Sequence, residues 1–114
     1  MIKLYGIKNC DTVKKARRWL DEQKISYSFH DYRVQGLSRE QLLAWIKELS
    51  WQTLLNTRGT TWRQLPAEMK LELDEQKALE LMLQKNSLIK RPLLDLGEQR
   101  IVGFNELEYQ QRFK

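Results

Sequence analysis

The hydrophobic period of the chain changes twice near its N-terminus, and that change limits the folds open to it. Ile2-Lys3-Leu4-Tyr5-Gly6 alternates apolar with polar and stops at a glycine, which predicts a short strand. Asp11 and Thr12 are helix-start residues. Behind them Val13, Ala16, Trp19 and Leu20 fall on one helical face, ringed by Lys14, Lys15, Arg17 and Arg18. A helix from Asp11 to Gln23 is predicted. Tyr27 and Phe29 alternate within Ile25 to Asp31, a second strand. A helix this short between two strands lays them parallel with a right-handed crossover.

The middle of the chain reads helical. Arg33 to Leu37 is predicted as a loop around Gly36. Ser38 followed by Gln41 forms a capping box, and Leu42, Trp45, Ile46 and Leu49 make an apolar stripe to Leu49. Trp51 to Leu55 fits helix or strand, and Asn56 to Thr61 is rich in loop formers. Pro66 can open a helix, and Glu68 to Leu73 and Asp74 to Gln84 both read helical, with Leu79, Met82 and Leu83 inward. The period then returns to that of strands. Pro92 to Leu96, Gly97-Glu98, and Gln99 to Gly103 read as a hairpin. Asn105 with Glu108 caps a last helix through Phe113. The expected architecture is one α/β domain over residues 1–114, β-α-β then β-β-α, with a helical insertion over roughly 38–85.

Composition narrows the function classes. Apolar residues make up 41% and charged residues 31%, and eleven aromatics (four Trp, four Tyr, three Phe) exclude a disordered chain. The absence of a long apolar run predicts neither a membrane span nor a signal peptide, so the expected location is the cytoplasm. The net charge of +5 suits anionic small molecules or an acidic partner. The basic residues are interleaved with acids, so nucleic-acid binding is not expected. One cysteine and one histidine, Cys10 and His30, exclude an internal disulfide and a Cys/His zinc site within one chain. His30, among aromatics at a strand end, is read as a structural hydrogen-bonding residue, the four tryptophans as core, and Asp74, Glu75 and Glu80 as a solvated helix face.

Cys10 is the residue with chemistry. It follows the first strand and immediately precedes the first helix, in the polar loop Lys8-Asn9-Cys10-Asp11-Thr12. The unpaired amides and positive dipole end of a helix's first turn favour an anion. A thiolate is such an anion, and only the thiolate is a good nucleophile. Position 13 is Val13, so there is no C-x-x-C pair. Any redox cycle must take its second thiol from outside the chain.

The segment Tyr5-Gly6-Ile7-Lys8-Asn9-Cys10-Asp11-Thr12-Val13-Lys14-Lys15-Ala16-Arg17 resembles the opening of the arsenate reductase-like family of thioredoxin-type fold, the ArsC and Spx group, and most of all its YffB branch. Leu54 to Thr61, Leu88 to Leu93 and Ile101 to Glu106 are similar to its later motifs, in the same order. The resemblance implies a thioredoxin-like sheet with a helical insertion. It implies Cys10 as redox nucleophile, Arg91 as a binder of oxyanion and thiolate, and Pro92 as the cis-proline facing the cysteine loop. It also matches Arg58 to the arginine of the middle motif. The chain departs from the arsenate reductases at three positions. Gly6 stands where they have histidine, Val13 where they have serine, and Gly103 where they have arginine.

The reading that follows is a thiol reductase with no bound cofactor and no metal. Cys10 forms a mixed disulfide, glutathione is the co-substrate, and an oxidised thiol or protein is the substrate. Lys8, Arg58 and Arg91 would hold glutathione's carboxylates through charge-assisted bonds, next to Pro92. A second expectation is an Spx-like regulator contacting RNA polymerase, without the C-x-x-C switch of those proteins. A third is arsenate reduction, which the three departures argue against.

Overall fold

The computed structural model describes residues 1–113 and forms two compact units. The first comprises Met1–Gln35 and the chain from Arg91 onward; the second comprises Gly36–Lys90.

The first unit holds a four-stranded sheet of order β2-β1-β3-β4. Its strands are β1 (Lys3–Gly6), β2 (Ser28–Asp31), β3 (Leu93–Asp95) and β4 (Arg100–Val102). β1 and β2 run parallel with Lys3 opposite Ser28, and the helix α1 (Asp11–Glu22) crosses between them. β3 lies antiparallel to β1, Leu4 opposite Leu94, and β4 antiparallel to β3. Alternation along the strands sends Leu4, Leu94 and Ile101 to one face, where they bury Val13, Ala16, Trp19 and Leu20 of α1. Tyr109 of the last helix, α8 (Glu106–Arg112), completes this core and meets Trp19 and Phe104 edge to face. Asn105 caps α8 as its spacing predicts, its Oδ1 accepting from the Glu108 amide at 3.1 Å. The expected thioredoxin-like α/β sheet is present.

β2 begins at Ser28 rather than Ile25, because the end of α1 claims Ile25. The amide of Ile25 donates to Leu20 O and that of Lys24 to Asp21 O, with Lys24 at φ 59°, a helix-closing motif in the left-handed region. The predicted loop at 33–37 instead begins with a helical turn, α2 (Tyr32–Gln35). Asp31 starts it: its Oδ1 accepts the Arg33 amide at 2.8 Å, and its own amide donates to Gln35 Oε1 at 3.0 Å.

The second unit is helical: α3 (Arg39–Leu49), α4 (Trp51–Leu54), α5 (Thr60–Gln64), α6 (Ala67–Lys70) and α7 (Glu75–Gln84), then a 3-10 turn at Asn86–Leu88. α3 packs on α7 and α4 with Leu42, Trp45, Ile46, Leu79 and Met82 buried. Ser38 Oγ accepts the Gln41 amide, as the capping box predicts, and Asp74 Oδ1 accepts the Lys77 amide. α6 stops at Lys70, short of the predicted Leu73, because Leu71 is extended and Glu72 turns left-handed at φ 52°. Leu81 is buried and Leu83 only half-buried, so the inward stripe of α7 lies to one side of that predicted. A short bridge pairs Leu55 with Ile89. No helix among the described residues is long and apolar enough to cross a membrane.

Candidate functional site

Cys10 is the N-cap of α1. Its backbone is extended (φ −117°, ψ 125°) and its carbonyl accepts the Lys14 amide at 2.9 Å, the first bond of the helix. Its side chain does not cap the helix, and it is half-buried against the edge of the core. The thiol therefore stands beside a first turn whose amides are not taken up by the capping side chain. Asp11 is the acid in that turn.

The loop before Cys10 is tied down from β2. The exposed Lys8 donates its amide to Asp31 Oδ2 at 3.2 Å. Asp31 thus holds two amides with one carboxylate, that of Lys8 in the cysteine loop and that of Arg33 in α2. No periodicity marks Asp31 for this role. Its partner Lys8 lies 23 positions away in the sequence, and only the parallel pairing of β1 with β2 brings the two together.

Gly6, the last residue of β1, lies between the first turn of α1 and Arg91. A Cβ built on Gly6 would lie 2.8 Å from Val13 Cγ2 and 3.7 Å from Arg91 Cβ. Val13 is the third residue of α1 and fully buried. The missing side chain at Gly6 is what lets Val13 in the first turn of α1 close on the strand end, while Arg91 Cβ stands at an ordinary contact distance. The Arg91–Pro92 peptide is cis, as expected, and Pro92 is buried. The Pro92 carbonyl accepts the amide of Gly103, which sits at φ 83°.

Arg91 is half-buried, and its charge acts on Tyr32. Burial pushes the Tyr32 phenol well above its ordinary value and Tyr5 adds to this, while the Arg91 guanidinium pulls it back. Tyr5, His30 and Tyr32 form a ring cluster, with the Tyr5 and His30 centroids 4.8 Å apart. Lys8, Cys10, Arg91 and Pro92 accordingly belong to the sheet unit, and Gly6 joins Arg91 to the cysteine turn.

Arg58 belongs to the helical unit. It is exposed on the loop between α4 and α5, and its amide donates to Asn56 Oδ1 at 3.1 Å. Among the described residues its guanidinium has no hydrogen-bond or ion-pair partner. Sequence reasoning passed over Asp31, Asn56 and Arg63 as site residues, because each acts through another residue's backbone. No three or more His, Cys, Asp or Glu gather as a metal-ligand set among the described residues.

The chain is similar over nearly its full length to known proteins. An uncharacterised protein of Haemophilus influenzae is 46% identical over 113 residues, covering 99% of each chain. A solved structure named YffB protein superposes with a TM-score of 0.94 at 54% identity, covering 97% of each chain. The global transcriptional regulator Spx of Streptococcus agalactiae is 28% identical over 110 residues, 95% of this chain and 80% of the regulator. The ArsC family model matches residues 5–112, a span that takes in the cysteine turn, the Arg58 loop and the Arg91–Pro92 corner, and the chain belongs to the ArsC family.

Proposed function

We propose that this ArsC-family chain is a thiol–disulfide oxidoreductase that works through Cys10 and glutathione. The observation that carries the reading is the convergence at Gly6. Gly6 at the strand end meets Val13, in the helix turn that Cys10 opens, on one side and Arg91, which precedes a cis-proline, on the other, with no second cysteine in the chain. In the first step the Cys10 thiolate attacks the glutathionyl sulfur of a mixed disulfide. A Cys10–glutathione disulfide forms and the substrate leaves as a thiolate, which takes a proton from water. In the second step a glutathione thiolate attacks the adduct, glutathione disulfide leaves, and the Cys10 thiolate returns. The substrate sulfur is reduced to a thiol and the one incoming glutathione is oxidised into glutathione disulfide. Arg91 and Lys8, both of the sheet unit, supply positive charge for a glutathione carboxylate, with Pro92 buried next to Arg91; Arg58, in the helical unit, is an exposed cation of the kind that grips a carboxylate.

Arsenate is a poor substrate on this reading. Gly6 and Val13 fill the turn with an apolar contact, and Gly103 offers no cation. The similarity to Spx favours a second reading, a protein-binding regulator, which capture of RNA polymerase subunits by the full chain would support. Mass spectrometry after incubation with glutathione disulfide tests the first. The wild type gains one glutathionyl group and releases it to reduced glutathione; Cys10→Ser gains none. An adduct on Cys10→Ser, or no adduct on the wild type, refutes the reading, and efficient arsenate turnover replaces it.

A further inference from the structure

We propose that α2, together with the cysteine loop, is the docking surface for a protein substrate, an acidic polypeptide carrying a glutathionylated cysteine; this rests on the glutathione reading and names its substrate class. Every residue of the surface belongs to the sheet unit. Val34 of α2 is 82% exposed, more than the other exposed apolar side chains, Met1 at the N-terminus apart. A single exposed apolar residue is ordinary; the setting of Val34 is what gives it meaning. Its neighbour Arg33 and Lys8 of the cysteine loop are both exposed, and neither side chain forms an ion pair among the described residues.

The acid beside these two cations is spent on their backbones. Asp31 accepts the Lys8 amide at Oδ2 (3.2 Å) and the Arg33 amide at Oδ1 (2.8 Å), so both of its oxygens hold amides while the two cationic side chains stay available. The same carboxylate joins the two segments. Asp31 stands opposite Gly6 in the parallel register, so α2 begins level with the start of the cysteine loop. From position 8 to position 18 the sequence holds five cations against one acid, Asp11. An acidic partner complements such a surface. Glutathione has carboxylates but no apolar side chain; a ligand that meets two cations and a valine on separate segments has the make-up of a polypeptide. In the reaction the Cys10 thiolate attacks the glutathionyl sulfur of the docked protein. The Cys10–glutathione disulfide forms, and the protein's own sulfur leaves as a thiolate and takes a proton from water. Reduced glutathione then restores Cys10 as glutathione disulfide departs.

The test uses the full chain, reduced glutathione and two synthetic peptides, each with one S-glutathionylated cysteine. In one peptide the cysteine is flanked by Asp, Glu and Leu; in the other Lys replaces the acids. Release of the peptide thiol is followed by mass spectrometry. Adduct formation on Cys10 by hydroxyethyl disulfide serves as a probe with neither charge nor apolar side chain. The acidic peptide half-saturates at about a tenfold lower concentration than the lysine peptide, the scale of one charge-assisted contact, and added salt narrows the gap. Arg33→Glu reverses the preference. Val34→Ser raises the half-saturating concentration of both peptides roughly threefold with the limiting rate kept. Neither variant alters the reaction of hydroxyethyl disulfide. Equal saturation by the two peptides, a preference that survives Arg33→Glu, or a Val34→Ser chain that matches wild type overturns the proposal. Loss of hydroxyethyl disulfide reactivity in either variant also overturns it, since that marks a structural role. The Cys10 reading survives all of these results. Absence of any adduct on the wild type with glutathione disulfide removes both.

Discussion

The two units fix their candidate site residues by different means. In the sheet unit the means around Arg91 and Pro92 is packing, with Asp31 adding a hydrogen bond to the Lys8 amide. Gly6 lacks a side chain, Val13 is fully buried against the space this leaves, Pro92 is buried, and the strand end, helix start and cis-proline corner meet. In the helical unit it is hydrogen bonding from side chains to backbone: the exposed Ser38 and Asp74 at helix starts, the half-buried Asn56 and the exposed Arg63 around Arg58. Close packing is sensitive to a single methyl, whereas a solvated hydrogen bond exchanges with water at modest net cost. The candidate nucleophile Cys10 thus belongs to the unit of close packing, and the exposed Arg58 to the unit of solvated hydrogen bonds.

Substitutions of graded size probe that contrast. Leu4, fully buried under α1, has the largest expected effect: Leu4→Ala lowers stability by about 2–5 kcal/mol in urea unfolding, through lost burial and a cavity. Next is Gly6→Ala, which drives a methyl onto the stiff Val13 side chain and costs about 1–3 kcal/mol. Adding Val13→Ala to Gly6→Ala should cost less than the sum of the two single changes, since the new methyl then has room. Simple additivity would show that close approach at Gly6 is not what holds the turn. In the helical unit Asp74→Ala loses a cap and costs about 1 kcal/mol. A cost at Asp74 matching that at Leu4 would erase the distinction between the units.

The smallest effect is electrostatic. Arg39 grips Glu80 with two hydrogen bonds, and chiefly through them holds its carboxyl below the ordinary carboxylate range, with burial opposing. A depressed folded-state value means that the pair stabilises the fold above the unfolded value of about 4.3 and that this is lost as pH falls through the folded one. The pair is exposed, so its contribution is slight. Unfolding curves of wild type and Arg39→Ala should differ near neutral pH and converge on acidification. A gap that widens in acid would reverse the sign argued for Glu80.

What was legible in the sequence was what depends on neighbours along the chain. The alternation at Ile2–Gly6, the apolar face of α1, the cap pairs Ser38/Gln41 and Asn105/Glu108, and the hairpin around Gly97 are local patterns, and each forms. The position of Cys10 at a helix start was legible for the same reason. The rest depends on partners distant in sequence or on competition at element ends. α2 forms because Asp31 and Gln35 exchange side-chain bonds with backbone, which overrides a loop-like composition. The Leu55–Ile89 bridge is too short to show alternation. Nothing in the spacing of Arg63 marks a guanidinium that bonds two carbonyls.

The Asp31–Gln35 bond has a consequence for the chain in a crowded solution. β2 is an outer strand of the sheet, and unclaimed amides on an outer strand are templates on which a stranger's backbone can add. The Asp31 amide is already engaged by Gln35 Oε1, so the end of β2 nearest the cysteine loop presents a satisfied donor. One glutamine a single helical turn away thereby shortens an already brief adhesive margin.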